Sequence, residues 1–327
     1  MKTQNFSSKT ILLEVRNLKK HFRISTTNQA TETVYALNGI SFLLHEGETL
    51  GLVGESGCGK STAARAILRL IEPTSGEVFY QNQNLIRLKQ NKLRALRKEM
   101  QIIFQDPSAS LNPRKQIRKI LEEPFDIHGH TDSTKKKERV AWLLERVGLS
   151  SDQAEKYPHE FSGGQLQRIG IARAIALNPS LIIADEPVSA LDVSIRAQII
   201  NLLLDLKDSM QISYLFISHD MTIVRHFCDR VAVMYLGKIV EIADSVSLYN
   251  HPRHPYTEAL LAAIPSINPN SSKQPLKIKG DLPSAIDMPK GCAFYSRCPI
   301  REKKCEQSVP QLKEKYSGHQ VACFLRE

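Results

Sequence analysis

Two kinds of hydrophobic pattern alternate along the first 250 residues of the chain. Short apolar runs rich in β-branched residues, typical of buried strands, are separated by longer segments whose apolar positions recur at helical spacing. The short runs are Ile11–Val15, Thr49–Val53, Ile102–Phe104, Leu181–Ala184, Tyr214–Ser218 and Arg230–Tyr235. This alternation predicts an α/β fold with a mostly parallel sheet flanked by helices.

Three departures from this alternation predict the remaining organisation. The strand-like pieces Tyr35–Leu44 and Glu77–Tyr80 indicate a small antiparallel β subdomain beside the main sheet. Strand signals vanish between Asp106 and Asn178, which predicts an inserted helical subdomain at about 106–178. Prolines become frequent after His251, so we expect the sheet to end near Asn250 and an irregular, cysteine-containing C-terminal extension to follow. The predicted domains are 12–250 and 251–327.

A glycine-rich loop, Gly54–Ser61, follows the strand pattern Thr49–Val53 and precedes a helical pattern. Its spacing is G-x-x-x-x-G-K-[ST], in the strand–loop–helix context of a P-loop NTPase. Backbone N–H groups of such a loop point at nucleotide phosphates, Lys60 would neutralise them, and Ser61 would bind Mg²⁺. We expect ATP contacts from Gly54, Glu55, Ser56, Gly57, Cys58, Gly59, Lys60, Ser61 and Thr62.

Two adjacent acids end the apolar strand pattern at Leu181–Ala184. Asp185 would bind Mg²⁺ through water. Glu186 would orient or deprotonate the water that attacks the terminal phosphate. Paired acids at a strand end are often surface residues, but behind a P-loop they predict hydrolysis.

The string Phe161-Ser-Gly-Gly-Gln-Leu-Gln-Arg168 resembles the LSGGQ element of ABC ATPases, with Phe161 where leucine is usual. Ser162 and Gln165 have the spacing of a capping box that opens a helix. The positive end of that helix predicts a second anion site. The resemblance implies that Ser162, Gly163, Gly164 and Gln165 complete the ATP site of an opposing subunit, so that ATP joins two subunits head to tail.

The remaining ABC motifs have counterparts along the chain. Gln105 resembles the Q-loop glutamine that senses Mg²⁺, and His219 resembles the switch histidine that contacts the γ-phosphate. Ser189-Ala-Leu-Asp192 resembles the D-loop. Phe22 resembles the aromatic residue that stacks on adenine, with His21 as an adjacent candidate. The resemblance implies catalytic roles for Lys60, Gln105, Glu186 and His219, and Mg²⁺ contacts from Ser61, Gln105 and Asp185.

Outside these motifs the chain resembles the ATP-binding subunits of bacterial dipeptide and oligopeptide importers. The resemblance is carried by Asp106–Arg114, His251–Leu261 and Asp281–Ala285. It implies a complex with a second ABC ATPase subunit, two membrane permeases and, indirectly, a substrate-binding protein. The predicted location is peripheral, on the cytoplasmic face of the inner membrane. Haem and nickel importers use similar subunits, so the cargo stays open.

Four of the six cysteines crowd the last part of the chain: Cys292, Cys298, Cys305 and Cys323. The motif resembles one that holds a [4Fe–4S] cluster in some peptide-importer subunits, and the resemblance implies an iron–sulfur cluster here. Zinc is an alternative, although paired C-x-x-C spacing is absent. Unligated thiols are the third.

Charge and hydropathy limit the other function classes. No run approaches the roughly 20 apolar residues of a membrane-spanning helix, and the polar opening lacks a signal-peptide core, so we expect a cytosolic chain. A formal net charge of +10 suits nucleic acid, anionic membrane or phosphate. We predict no nucleic-acid partner, because the basic clusters have the pattern of solvated helix faces. A soluble ABC ATPase of translation or DNA repair, and a scaffold protein, are the alternatives.

Overall fold

The computed structural model describes residues 10–25, 31–129, 132–264, 280 and 282–326. Prolines Pro265, Pro269 and Pro275, and Asp281 of the importer-like string, lie outside the described residues. The strands are β1 (Ile11–Ser25), β2 (Thr31–His45), β3 (Thr49–Val53), β4 (Ser75–Tyr80), β5 (Gln83–Asn84), β6 (Met100–Ile103), β7 (Leu181–Asp185), β8 (Ser213–Ser218), β9 (Arg230–Tyr235), β10 (Lys238–Asp244), β11 (Lys313–Tyr316) and β12 (His319–Val321).

Helices occupy much of the remaining described chain. They are α1 (Lys60–Ile67), α2 (Gln90–Leu96), α3 (Pro107–Ser110), α4 (Ile117–Ile127), α5 (Ser133–Arg146), α6 (Gly163–Ile175), α7 (Val193–Met210), α8 (Met221–Phe227), α9 (Ser245–Asn250), α10 (Pro255–Ala262) and α11 (Lys303–Gln307). Within the described ranges, none of these helices is both long and apolar enough to cross a membrane.

The chain folds into two compact units. The first takes its described residues from 1–45, 49–86 and 218–327, and the second from 46–48 and 87–217. The predicted C-terminal extension therefore lies in the same unit as the glycine-rich loop.

The first unit contains an antiparallel layer and part of the main sheet. The antiparallel layer, which the sequence predicts, has the strand order β2-β1-β4-β5. In the main sheet β3 pairs in parallel with β9, and β10 and β12 continue from β9 in antiparallel pairs. All five residues of β3 are buried, which is why its sequence is apolar without alternation.

The second unit contains three parallel strands and the helical insertion. β7 lies between β6 and β8, with Leu181 opposite both Met100 and Ser213. Every residue of β7 and β8 is buried. Helices α3 to α6 lie between residues 106 and 178, and the described part of that range contains no strand. The predicted helical insertion is therefore confirmed.

The prediction that the sheet ends near Asn250 is wrong. β12 pairs with β10, placing Val321 opposite Glu241, and β11 pairs with β12. The physical reason is a buried polar contact: His319 Nε2 lies 2.7 Å from Glu241 Oε1, and the Glu241 carboxylate also accepts hydrogen bonds from the backbone N–H groups of Arg253 and His254. The last strand thus helps to satisfy a fully buried acid.

Candidate functional site

The glycine-rich loop connects β3 to α1 and is closed by its own lysine. The chain leaves β3 at Gly54 and enters α1 at Lys60. Lys60 is 4% exposed, and its ammonium donates hydrogen bonds to the carbonyls of Gly54 at 2.8 Å and Glu55 at 3.0 Å. The lysine therefore closes the loop on itself, in the position from which it could reach a bound phosphate.

Gly59 gives this loop its turn into α1. Its φ of +108° is a left-handed conformation, and a Cβ there would lie 2.3 Å from the carbonyl oxygen of Ala36. Gly59 also has no side chain that could accept hydrogen bonds from the first N–H groups of α1. Such an end suits an anion.

The other loop residues divide into exposed and buried groups. Ser56 and Gly57 are exposed, and Ser61 and Thr62 are half-buried. Cys58 is buried, and burial raises the pKa of its thiol, so only its backbone is available to a nucleotide.

Phe22 and His21 differ in their surroundings on β1. The Phe22 ring is 37% exposed, with the Lys20 ammonium 4.9 Å from its centroid. The His21 ring packs against Tyr35, with ring centroids 4.7 Å apart. Of the two candidates, Phe22 has the exposed ring that stacking on adenine requires.

His219 follows β8 directly and is exposed, at the boundary where the first unit resumes. The next residue, Asp220, caps α8 by accepting hydrogen bonds from the N–H groups of Thr222 and Ile223. Along the chain, the histidine thus lies between a buried strand and a capped helix.

The second unit brings Gln105 and Glu186 together. Gln105 lies just after β6 and Glu186 just after β7, and the Gln105 side-chain amide donates to the Glu186 carboxylate at 3.2 Å. Glu186 has a φ of 47°, rare for a non-glycine residue, and its N–H donates to the carbonyl of Ile217. Strained backbone of this kind concentrates at functional positions.

Asp185 ends β7 and is 3% exposed. The predicted magnesium ligands are Ser61 in the first unit and Gln105 and Asp185 in the second. Hydroxyl, amide and carboxylate oxygens are the hard donors that Mg²⁺ prefers, so each of these residues carries a suitable ligand atom.

The LSGGQ-like segment Phe161–Arg168 opens α6 with the capping box that its spacing predicts. The Ser162 hydroxyl accepts from the Gln165 N–H at 3.4 Å, and the Gln165 side chain accepts from the Ser162 N–H at 3.0 Å. Ser162 and Gly163 are exposed, whereas Gly164 and Gln165 are half-buried. The helix end is therefore open to an incoming ligand rather than buried in its own unit.

The predicted D-loop residues lie after Glu186 in the same unit. The Ser189 hydroxyl donates to the Glu186 carbonyl at 3.1 Å. Asp192 caps α7 by accepting from the Ile195 N–H at 3.0 Å, a hydrogen bond that lowers the pKa of its carboxyl group. Val193, directly after this cap, is 80% exposed.

The four C-terminal cysteines are reduced thiols in the first unit. Burial, assisted by the other three thiols, raises the pKa of Cys292 to about 11. Among the described residues, no three or more His, Cys, Asp or Glu side chains form a group that could hold a metal ion. The prediction of an iron–sulfur cluster, and its zinc alternative, therefore lacks support.

Sequence reasoning missed two residues at the glycine-rich loop. Arg297 forms an ion pair with the Glu55 carboxylate, and the Tyr256 hydroxyl accepts from the Glu55 N–H. Both come from the C-terminal region, more than 200 positions away along the chain. No local pattern signals such a contact.

Comparisons with known proteins agree with these features. The family model "ABC transporter" matches residues 37–189, and "Oligopeptide/dipeptide transporter, C-terminal region" matches residues 240–305. The oligopeptide transport ATP-binding protein AppF of Bacillus subtilis is 51% identical over 96% of this chain and 97% of its own length. The dipeptide transport ATP-binding protein DppF of Escherichia coli is 47% identical over 99% and 97%.

Solved structures give the same result for the fold. The ATP-binding cassette MJ0796, in a dimeric post-hydrolysis state with ADP and phosphate, has a TM-score of 0.65 and 29% identity, covering 72% of this chain and 99% of that one. The chain is thus an ABC ATPase and belongs to the family of ATP-binding subunits of oligopeptide and dipeptide ABC transporters.

Proposed function

We propose that this chain hydrolyses ATP to drive the import of dipeptides or oligopeptides through a membrane ABC transporter. The observation that carries the proposal is similarity over almost the whole chain, C-terminal region included, to proteins named for peptide transport. Nickel or haem as cargo has no observation in its favour.

ATP binding is assigned to residues of the first unit. The backbone of Gly54–Thr62 cradles the phosphates, and Lys60 exchanges its carbonyl partners for phosphate oxygens. Phe22 stacks on the adenine, and His219 contacts the γ-phosphate.

Hydrolysis is assigned to residues of the second unit. Glu186 accepts the proton of the attacking water, and the hydrogen bond from Gln105 orients its carboxylate. Ser61, Asp185 and Gln105 would hold Mg²⁺, which neutralises charge on the phosphates when bound. The four C-terminal thiols do not form a metal-binding group in the described part of the chain, so the proposal includes no iron–sulfur cluster.

A second ATP-binding subunit is part of the proposal. Ser162–Gln165 of this chain would contact the ATP bound to that second subunit. The exposed, capped end of α6 suits a terminal phosphate. Asp192 and the exposed Val193 would lie at the same interface. Closure of the two ATP-binding subunits on ATP, followed by hydrolysis, would move two permeases at the cytoplasmic face of the membrane. A substrate-binding protein would deliver the peptide to these permeases.

Replacing Glu186 with glutamine tests the chemistry. The amide keeps the size of the side chain but cannot accept the proton, so we expect ATP turnover by the assembled transporter to fall by at least about 100-fold. ATP binding should survive, because the glycine-rich loop is unchanged. Phosphate release and nucleotide affinity measure the two effects separately.

The control is Glu14→Gln, which removes a carboxylate that pairs with Arg16 on the exposed surface of β1. It should hydrolyse ATP at the parental rate. Turnover by the Glu186→Gln protein at that same rate would refute the assignment of the base.

A further inference from the structure

The C-terminal region binds the side chain of Glu55, the second residue of the glycine-rich loop. The Arg297 guanidinium donates to Glu55 Oε1 at 3.1 Å and to Oε2 at 2.9 Å, although the two residues are separated by 242 positions. The Arg297 side chain is 9% exposed and that of Glu55 28%. This is a partly buried ion pair, in which solvent screens the charges less than at an open surface.

The same region also holds the backbone of Glu55. The Glu55 N–H donates to the Tyr256 hydroxyl at 2.9 Å. Burial raises the pKa of Tyr256, so the hydroxyl stays neutral. The Tyr256 ring packs against Tyr235 and Phe294, with centroids 4.7 and 5.5 Å away, which fixes the position of the hydroxyl.

Arg297 is part of this aromatic group as well. Its guanidinium carbon lies 5.8 Å from the centroid of the Tyr235 ring, which in turn packs edge-on against Phe294. The arginine is therefore placed by packing as well as by its charge.

Glu55 is thus constrained at three groups. Its carboxylate binds Arg297, its N–H binds Tyr256, and its carbonyl accepts from Lys60 at 3.0 Å. A carboxylate one residue into a loop for triphosphate would repel that ligand unless its charge is balanced. Arg297 supplies the balancing charge and pulls the carboxylate to one side.

We propose that Arg297 is a positioning residue for nucleotide binding: from the C-terminal region, it neutralises Glu55 and holds the glycine-rich loop in a form that accepts a triphosphate. The inference rests on the proposed binding of ATP at Gly54–Thr62. It assigns to the C-terminal region a direct part in nucleotide affinity, in addition to any contact with transporter partners.

The test compares nucleotide affinity of full-length variants. Arg297→Ala should weaken ATP binding about tenfold, the equivalent of losing about 1.4 kcal/mol. Arg297→Lys should recover part of the loss, because it keeps the charge but not the two-pronged geometry. Glu55→Gln introduced into the Arg297→Ala protein should restore affinity to within about twofold, since the unbalanced charge is then gone.

The matched control is Arg326→Ala. Arg326 pairs with Glu258 at 2.8 Å in the same C-terminal region, and Glu258 is outside the glycine-rich loop. This variant should bind ATP as the parent does. In the assembled transporter, Arg297→Ala should raise KM for ATP and leave kcat within about twofold, and its defect should shrink at high salt.

Three results would overturn the inference: parental affinity in Arg297→Ala, an equal loss in Arg326→Ala, or no recovery in the double variant. Without recovery in the double variant, the loss of ATP affinity would come from misfolding and not from an unbalanced charge. A matching fall in the melting temperature would confirm that explanation. Lys60→Ala separates this question from the proposed function. If Lys60→Ala leaves ATP binding intact, the assignment of ATP to this loop fails, whatever Arg297 does.

Discussion

At the residue scale, Gly59 is required for the shape of the glycine-rich loop. Gly59→Ala would force a side chain into a left-handed conformation and bring its Cβ to 2.3 Å from a backbone carbonyl oxygen. We expect a loss of about 3 kcal/mol in the free energy of unfolding, together with loss of nucleotide binding. Urea unfolding and ATP titration measure the two.

Gly129→Ala is the control for this substitution. Gly129 has a φ of +82°, but among the described residues no heavy atom beyond its own chain neighbours lies within 4 Å of where its Cβ would be. It therefore carries the conformational cost alone, about 1 kcal/mol. Equal losses in the two variants would show that the close approach to Ala36 has no energetic weight.

The residue motifs were the most predictable part of the molecule. The string around Ser162 predicts its capping box because N-cap and third residue are close in sequence. The positive φ of Glu186 and the pairing of Glu55 with Arg297 were not predictable. The first depends on how a strand end meets its neighbours, and the second on a contact between distant parts of the chain.

At the element scale, the start of α10 depends on a neutral histidine. His254 is the N-cap, and its Nδ1 accepts from the N–H of Tyr256, so that nitrogen must carry no proton. Burial lowers the pKa of His254 to about 4, with Arg326 acting in the same direction and Glu241 opposing it.

Because the folded pKa is depressed, the unfolded chain binds a proton at this histidine more readily than the folded chain does. The stabilisation is complete above about pH 6.5 and is lost as the pH falls from there to about 4. The expected loss is roughly 3 kcal/mol across that window.

His254→Asn should flatten this part of the pH profile, since an amide oxygen can cap the helix without titrating. The measurement is the free energy of unfolding in urea between pH 4 and about 7, chosen to span the titration. The exposed His226→Asn is the control for loss of a histidine as such. A parental pH profile in His254→Asn would contradict the assignment.

The buried parallel strands were predictable from their continuous apolar runs, whereas other strands were not. β11 is exposed at every residue and has no hydrophobic alternation. β1 and β2 each extend over 15 residues, but register shifts interrupt their pairing and break the period of two on which strand prediction relies.

At the scale of the whole molecule, a net charge of +10 suits anionic partners, nucleic acid among them. A soluble ABC ATPase would use this charge to bind RNA or DNA, whereas a transporter subunit would use its surfaces for permeases. Because a basic protein binds any nucleic acid at low ionic strength, only binding that persists at physiological salt discriminates between them.

We expect the chain, purified from detergent-solubilised membranes, to carry two permeases and a second ATP-binding subunit that mass spectrometry can identify. Nuclease treatment should leave this complex intact, and added RNA or DNA at physiological salt should not raise the rate of ATP hydrolysis. The Glu186→Gln protein in the presence of ATP should retain the second ATP-binding subunit more strongly than the parent, because the closed state no longer turns over. Salt-resistant recovery with nucleic acid and without permeases would instead favour the soluble class.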